Sequence, residues 1–126
     1  MSNNMIAKKK VDKFVWNLAC GRRERFTASY ISKNINVDID FVKKRLIELR
    51  DDDKLFVNFE LICDSPECEF RTIRTYSKID DVPIGDTIKC TNCGKESEVA
   101  EKSVLVTFSP NTNYYDDEMC DRILHS

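Results

Sequence analysis

Residues 63–94 read CDSPECEFRTIRTYSKIDDVPIGDTIKCTNCG and contain four of the six cysteines of this chain. Cys63 and Cys68 form a C-x4-C pair, and Cys90 and Cys93 form a C-x2-C pair that Gly94 follows. Each pair places two thiols in one tight turn, and two such turns supply the four ligands of a tetrahedral metal site. The glycine permits the left-handed backbone conformation that such a turn often needs. The spacing therefore predicts one structural metal ion bound by four thiolates.

Zinc is the metal that this ligand set favours most. Iron–sulfur clusters use the same ligands, and the spacing alone does not exclude one. A catalytic metal is disfavoured, because four thiolates leave no open position for water. Free thiols are a further interpretation, and disulfides are less expected because residues 1–10 lack the apolar stretch of a secretory signal. We expect one structural Zn²⁺ held by Cys63, Cys68, Cys90 and Cys93.

Both cysteine pairs adjoin segments with the pattern of β-strands. In residues 55–63, four apolar side chains alternate along one face, and Asn58 and Glu60 lie on the other face. Further strands are predicted at 69–76, 87–90, 97–100 and 103–108. Each cysteine pair then lies at the tip of a β-hairpin, and two hairpin tips facing one ion form a zinc ribbon.

The segment before the cysteines has the periodicity of three helices. Residues 1–7 are expected to be flexible, and the helices are predicted at 8–19, 28–34 and 39–50. Thr27 and Asp38 are suited to cap the second and third helices. The inward positions of the third helix are predicted to be entirely apolar: Ile39, Val42, Leu46 and Leu49.

Three helices followed by a strand pair resemble a winged helix-turn-helix over residues 8–76. The stretches that carry the resemblance are Phe26–Ser32, Asn36–Asp38, Phe41–Leu49 and Asp53–Phe56. The resemblance implies that the third helix lies in the major groove of DNA. A winged helix continuing into a four-cysteine ribbon is similar in layout to the alpha subunit of transcription factor E, in which both pairs are usually C-x2-C.

The expected fold is thus α+β: a winged helix-turn-helix at 8–62, a zinc ribbon of antiparallel strands at 63–108 and an acidic tail at 109–126. A short helix is expected in the tail around Met119, Ile123 and Leu124. Of the two remaining cysteines, Cys20 is expected in the core and Cys120 as an exposed thiol. His125, the only histidine, is not expected to bind the metal.

The charge is distributed unevenly along the chain. Residues 1–50 carry 12 basic and 5 acidic residues, whereas residues 51–126 carry 8 and 17, so the net charges are +7 and −9. The basic half suits a polyanion and the acidic half a basic protein surface. We expect double-stranded DNA and a protein as partners, and no membrane or small-molecule substrate. The expected location is cytoplasmic, or nuclear or nucleoid-associated.

The residues expected to contact nucleic acid are the following: Lys8, Lys9, Lys10, Arg22, Arg23, Arg25, Lys43, Lys44 and Arg50. Asp38, Asp40 and Ile47 instead favour the alternative of a protein-protein adaptor in a larger complex. An enzyme is not expected, because three glycines and one histidine provide neither a phosphate-binding loop nor a nucleophile with its base. The leading hypothesis is a zinc-binding, nucleic-acid-associated regulator or accessory factor.

Overall fold

The computed structural model describes residues 3–69 and 71–124 and has an α+β fold. The helices are α1 (Asn3–Cys20), α2 (Ala28–Ile35), α3 (Ile39–Asp51) and α4 (Asp117–Leu124). The strands are β1 (Leu55–Ile62), β2 (Thr72–Tyr76), β3 (Thr87–Lys89), β4 (Glu96–Glu98) and β5 (Val104–Pro110). Among the described residues, no helix combines the length and the apolar character needed to cross a bilayer.

The chain divides into two compact units whose boundaries differ from the division expected from the sequence. One unit contains the residues up to Phe56 together with those from Phe108 onward, and we call it the helical unit. The other runs from Val57 to Thr107 and contains the cysteine pairs, and we call it the β unit. The segment predicted as a separate acidic tail is therefore grouped with the first three helices.

The first three helices pack against one another around an apolar core. Its fully buried members are Val11, Val15, Ile31, Val42 and Leu46. The predicted caps are present: the Thr27 side chain accepts a hydrogen bond from the Tyr30 amide at 3.1 Å, and Asp38 accepts one from the Asp40 amide at 3.2 Å. These bonds satisfy amides that the first helical turn leaves without a partner.

Helix α1 begins at Asn3, so the prediction of a flexible stretch over residues 1–7 is wrong from residue 3 onward. Residues 3–20 contain neither glycine nor proline, and Met5, Ala7 and the following lysines favour helix. Met5 and Ile6 remain about half exposed on this first part of the helix, with 51% and 47% of their surfaces accessible. Helix propensity, rather than burial of these two side chains, accounts for the early start.

The inward face of α3 is not purely apolar, because it includes Arg45. Only 8% of Arg45 is exposed, and its guanidinium donates two hydrogen bonds to the Asp12 carboxylate of α1, at 2.7 and 2.9 Å. A weaker contact at 3.4 Å joins it to Glu48. The hydrogen bond to Asp12 raises the pKa of Arg45 against the opposing effect of burial. A bidentate ion pair therefore links α3 to α1.

Aromatic side chains and a disulfide bond attach the C-terminal segment to α1. Trp16 makes edge-on contacts with Tyr114 and Tyr115, at centroid distances of 6.0 and 5.5 Å. Cys20 and Cys120 are bonded to each other across 100 residues of sequence. The prediction of a core thiol and an exposed thiol is therefore wrong. Helix α4 itself confirms the predicted short helix.

The β unit contains a three-stranded sheet in the order β2-β1-β5 and a separate β3-β4 hairpin. Strands β1 and β2 are antiparallel, with Phe59 opposite Tyr76 and Leu61 opposite Arg74. In β3-β4, Ile88 pairs with Ser97. The apolar core is small: its buried members are Leu61, Val82 and Val99. This unit consequently has little apolar burial to stabilise it.

Glu60 lies on the face of β1 that alternation predicted to be the polar one, yet only 2% of it is exposed. Its carboxylate accepts hydrogen bonds from the Thr72 hydroxyl at 2.9 Å and from the Thr107 hydroxyl at 2.6 Å. Because β1 is the central strand of its sheet, both neighbouring strands shield this side chain and provide donors to it. Hydrogen bonds of this kind make a buried carboxylate tolerable.

Candidate metal centre

Four cysteine sulfurs converge at one point of the β unit. The Sγ atoms of Cys63, Cys68, Cys90 and Cys93 all lie within 4.8 Å of one another. Two of these distances cross from one pair to the other, at 3.6 Å for Cys63 to Cys93 and 3.6 Å for Cys68 to Cys90. All four are free thiols; three are buried, and Cys93 is exposed. The predicted ligand set is thus brought together and is not joined by disulfides.

The first cysteine pair occupies the tip of the β1-β2 hairpin. The Cys63 amide donates a hydrogen bond to the Arg71 carbonyl at 2.9 Å, which continues the strand pairing beyond β1. The extra residues of the C-x4-C spacing form a single 3₁₀ turn, Pro66–Cys68. Glu69 follows with a left-handed φ of 56°. The longer spacing therefore accommodates one compact turn that returns Cys68 to Cys63.

The second pair occupies an equivalent position after β3. The Cys90 amide donates to the Lys95 carbonyl at 2.9 Å, and the Gly94 amide donates back to the Cys90 carbonyl at 2.8 Å. Gly94 has a φ of 78°, the left-handed conformation expected for it from the sequence. In both turns, the residue after the second cysteine is left-handed.

Backbone amides and burial act on these thiols in opposite directions. The amide of Cys93, together with that of Asn92, donates to the Cys90 sulfur and lowers its pKa to about 6. Burial raises the pKa of the Cys68 thiol to about 12. At Cys63 the Ser65 amide is the largest single influence and lowers the pKa, but burial and the neighbouring thiols outweigh it and leave the pKa raised. Four such close sulfurs do not all ionise without a cation among them.

The geometry fits a tetrahedral cation. A metal–sulfur distance of about 2.3 Å places tetrahedral sulfurs about 3.8 Å apart, close to the observed contacts of 3.6 Å. Ile73 packs against the buried cysteines, and an ion pair of 3.3 Å joins Asp64 of the first turn to Lys95 beyond the second. Within residues 3–69 and 71–124, no other group of three or more cysteine, histidine or acidic side chains converges in this way. His125 lies outside the described residues.

The residues predicted to contact nucleic acid lie in three different places in the helical unit. Lys8, Lys9 and Lys10 are exposed on α1, and Lys43 and Lys44 are exposed on α3. A third set follows α1 as an exposed basic turn: Arg22, Arg23 and Arg25.

Two of the arginines in this set are already paired with acidic side chains. Arg22 forms an ion pair of 2.9 Å with Asp117, and Arg50 forms one of 2.9 Å with Asp51. Arg23 lies over the Tyr30 ring, 5.2 Å from its centroid. Sequence reasoning missed Asp117 as the partner of Arg22, because local spacing carries no signal for a residue 95 positions away.

A groove between α1 and α3 combines lysines from both helices. It has a volume of about 310 Å³, and its lining includes Lys8, Lys44, Phe41 and Glu48. An adjacent groove of about 350 Å³ is lined by Lys10 and Asp38, among others, and shares Phe41 with the first. The two grooves therefore present both positive and negative side chains, and lysines from α1 and α3 lie at the same surface.

Comparisons of this chain with protein-family models, with curated proteins and with solved structures gave no match. The resemblance to winged helix-turn-helix proteins and to the alpha subunit of transcription factor E therefore stays a prediction.

Proposed function

We propose that this chain is a zinc-stabilised, nucleic-acid-associated accessory factor. Its first three helices and the following hairpin act as a winged helix-turn-helix that contacts duplex DNA. Its two cysteine turns form a zinc ribbon, which with the acidic C-terminal half contacts a protein partner. The observation that carries the DNA proposal is that Lys8 of α1 and Lys44 of α3 line the same groove. Phosphate contacts from two elements fix a protein on a duplex better than contacts from one.

Zinc is proposed as the metal because four thiolates at tetrahedral spacing suit it, and because the site has no open position for catalysis. The support is the pair of equivalent hairpin tips, each with a left-handed residue after its second cysteine. Amides that donate to the sulfurs of Cys63 and Cys90 also stabilise bound thiolates. The proposed role of the ion is structural.

Metal affinity should fall steeply as the pH falls from 8 to 6. The pKa values of Cys63 and Cys68 are raised, so both thiols are protonated at neutral pH and protons compete with the cation. The logarithm of the association constant should therefore rise with pH with a slope of about two or more. Competition with a chelator of known affinity across this pH range measures the slope. A flat profile would contradict binding by thiolates.

Duplex binding should be strongly salt-dependent and should require the lysines of the α1–α3 groove. Replacing both Lys8 and Lys44 with alanine is expected to weaken binding roughly tenfold or more at low salt, and to reduce the slope of log affinity against log salt by about two. Fluorescence anisotropy of a labelled duplex, titrated at several salt concentrations, gives both quantities.

A matched control removes the same charge elsewhere. Lys89 and Lys102 are both exposed and belong to the β unit outside the β1-β2 hairpin, so the Lys89→Ala, Lys102→Ala protein has the same net charge as the groove variant. It should bind DNA almost as the native protein does. An equal loss of affinity in both variants would mean that net charge alone drives binding. If the native protein does not bind duplex DNA, the DNA proposal is excluded.

The second candidate is a protein-protein adaptor, and the exposed face of α3 favours it. Ile47 on this helix is 44% exposed, and Asp38 and Asp40 lie at its N-terminus, where they repel phosphate. An apolar side chain between charged neighbours suits the centre of a protein interface. If the native protein fails to bind duplex DNA and Ile47→Asp abolishes binding to a co-purifying protein, the adaptor function is the correct one.

A further inference from the structure

The acidic first turn of α4 lies against the basic turn that follows α1. Cys20 is the last residue of α1 and is bonded to Cys120 of α4, with 5.4 Å between their Cα atoms. Asp117 forms its ion pair with Arg22 three residues before Cys120. One covalent bond and one ion pair thus connect the same two segments.

The ion pair alone is too weak to hold α4 in this position. The side chains of Arg22 and Asp117 are 82% and 87% exposed, and pairs as exposed as this one contribute little stability. Helix α4 has only eight residues, and isolated helices of this length do not persist in water. The disulfide therefore keeps the Asp117 carboxylate on Arg22.

A cleft gives access to the disulfide. It has a volume of about 620 Å³, and both cysteines line it together with Arg22, Arg23, Asp116 and Asp117. Cys20 is half-buried, whereas Cys120 is buried, so Cys20 is the more accessible of the two. The remaining four cysteines are free thiols, so Cys20 and Cys120 form the one disulfide among the described residues.

We infer that the Cys20–Cys120 bond is a reversible thiol–disulfide site that holds acidic α4 over the basic turn and that a protein dithiol opens. A thiolate of the dithiol attacks one sulfur, forms a mixed disulfide and releases the other cysteine as a thiolate that takes up a proton. The second thiol of the reductant then resolves the mixed disulfide. Two electrons and two protons pass to Cys20 and Cys120, and the dithiol becomes a disulfide.

Reduction frees α4 but not the residues before it. Tyr115 is buried and stays packed on Trp16, so the chain loosens from Asp116 onward. The Asp117 carboxylate leaves Arg22, and the basic turn becomes available to phosphates. This consequence rests on the proposed DNA-binding function, because it adds contacts to the same helical unit. The opening of α4 itself does not depend on it.

The test compares the oxidised and the dithiothreitol-treated full-length protein, both loaded with zinc. Alkylation under native conditions, mapped by peptide mass, should label Cys20 and Cys120 only after treatment. Hydrogen exchange of the α4 amides should then accelerate roughly tenfold or more, with α1 and α3 unchanged. If the bond resists the dithiol until the protein unfolds, or if α4 exchanges equally in both forms, the inference is wrong.

The affinity for duplex DNA supplies the second readout. Reduction should raise the affinity about three- to tenfold. It should also increase the slope of log affinity against log salt by about one, the value for one added phosphate contact. Cys20→Ser with Cys120→Ser should behave like the reduced form with or without dithiol. If that variant does not fold, Asp117→Asn keeps the disulfide and should raise the affinity of the oxidised form about two- to threefold.

The two proposals fail in different ways. If neither redox form binds DNA, the proposed function is wrong. Alkylation of the native protein and hydrogen exchange of the α4 amides still decide whether the Cys20–Cys120 bond opens and releases α4. If both forms bind with equal affinity and salt dependence, the function stands, and the inference that α4 covers the basic turn is overturned.

Discussion

Replacing Cys90 with serine should abolish metal binding and unfold the β unit while α1, α2 and α3 remain folded. The unit has about 50 residues, a size at which a metal often replaces a large core. Its second cluster of buried residues consists of the cysteines themselves, with Ile73 packed against them. Structural zinc sites contribute on the order of 10 kcal/mol or more of apparent binding free energy, which exceeds the total stability of most small units.

Native mass spectrometry and circular dichroism check this result. The native protein should carry one zinc ion per chain, and the Cys90→Ser protein should carry none and lose β signal but keep its helical signal. Thr91→Ala changes an exposed side chain between the ligands of the same turn and should leave both measurements unchanged. A β unit that stays folded without metal would show that the four thiols are only core residues. Melting of the helices with it would show that the two units do not fold separately.

The second large effect is expected from Asp12→Ala. This change removes the carboxylate that forms a bidentate ion pair with the Arg45 guanidinium. The Arg45 side chain is only 10% exposed, so its charge is left largely buried. Removing one member of a fully buried pair costs about 3–5 kcal/mol. Asp12 is 36% exposed, and Glu48 stays within 3.4 Å of Arg45, so water and this second carboxylate reduce the loss. We expect the free energy of unfolding to fall by about 2–3 kcal/mol, as measured by urea denaturation.

A double-mutant cycle separates the ion pair from simple packing. Arg45→Met removes the buried charge, so Asp12→Ala should cost much less in that background, with a coupling of about 1–2 kcal/mol or more. Lys13→Ala, at the neighbouring exposed position of α1, should change stability by less than about 0.5 kcal/mol. Equal costs of Asp12→Ala in both backgrounds would contradict a stabilising role for the pair.

Local features of this protein were predictable because they depend on residues close in sequence. Thr27 and Asp38 cap helices whose first turns follow them directly. Each cysteine pair forms a turn within six residues or fewer, and Gly94 takes its left-handed conformation from that turn. Alternation along residues 55–63 predicted the first strand, and the hairpin that it forms with β2 places the first cysteine pair at its tip. The DNA contacts stay predictions, since exposure of a lysine does not identify its partner.

The sequence alone determined three N-terminal helices, the hairpins and a four-thiol site, because helix periodicity, capping and turn spacing act over a few residues. The tertiary structure alone decided three contacts between distant residues: the bond between Cys20 and Cys120, the ion pair of Asp12 with Arg45, and the burial of Glu60 beside Thr107. Their partners lie 100, 33 and 47 residues apart. Which polar side chains meet over such separations depends on how whole elements pack, and no local pattern encodes that packing.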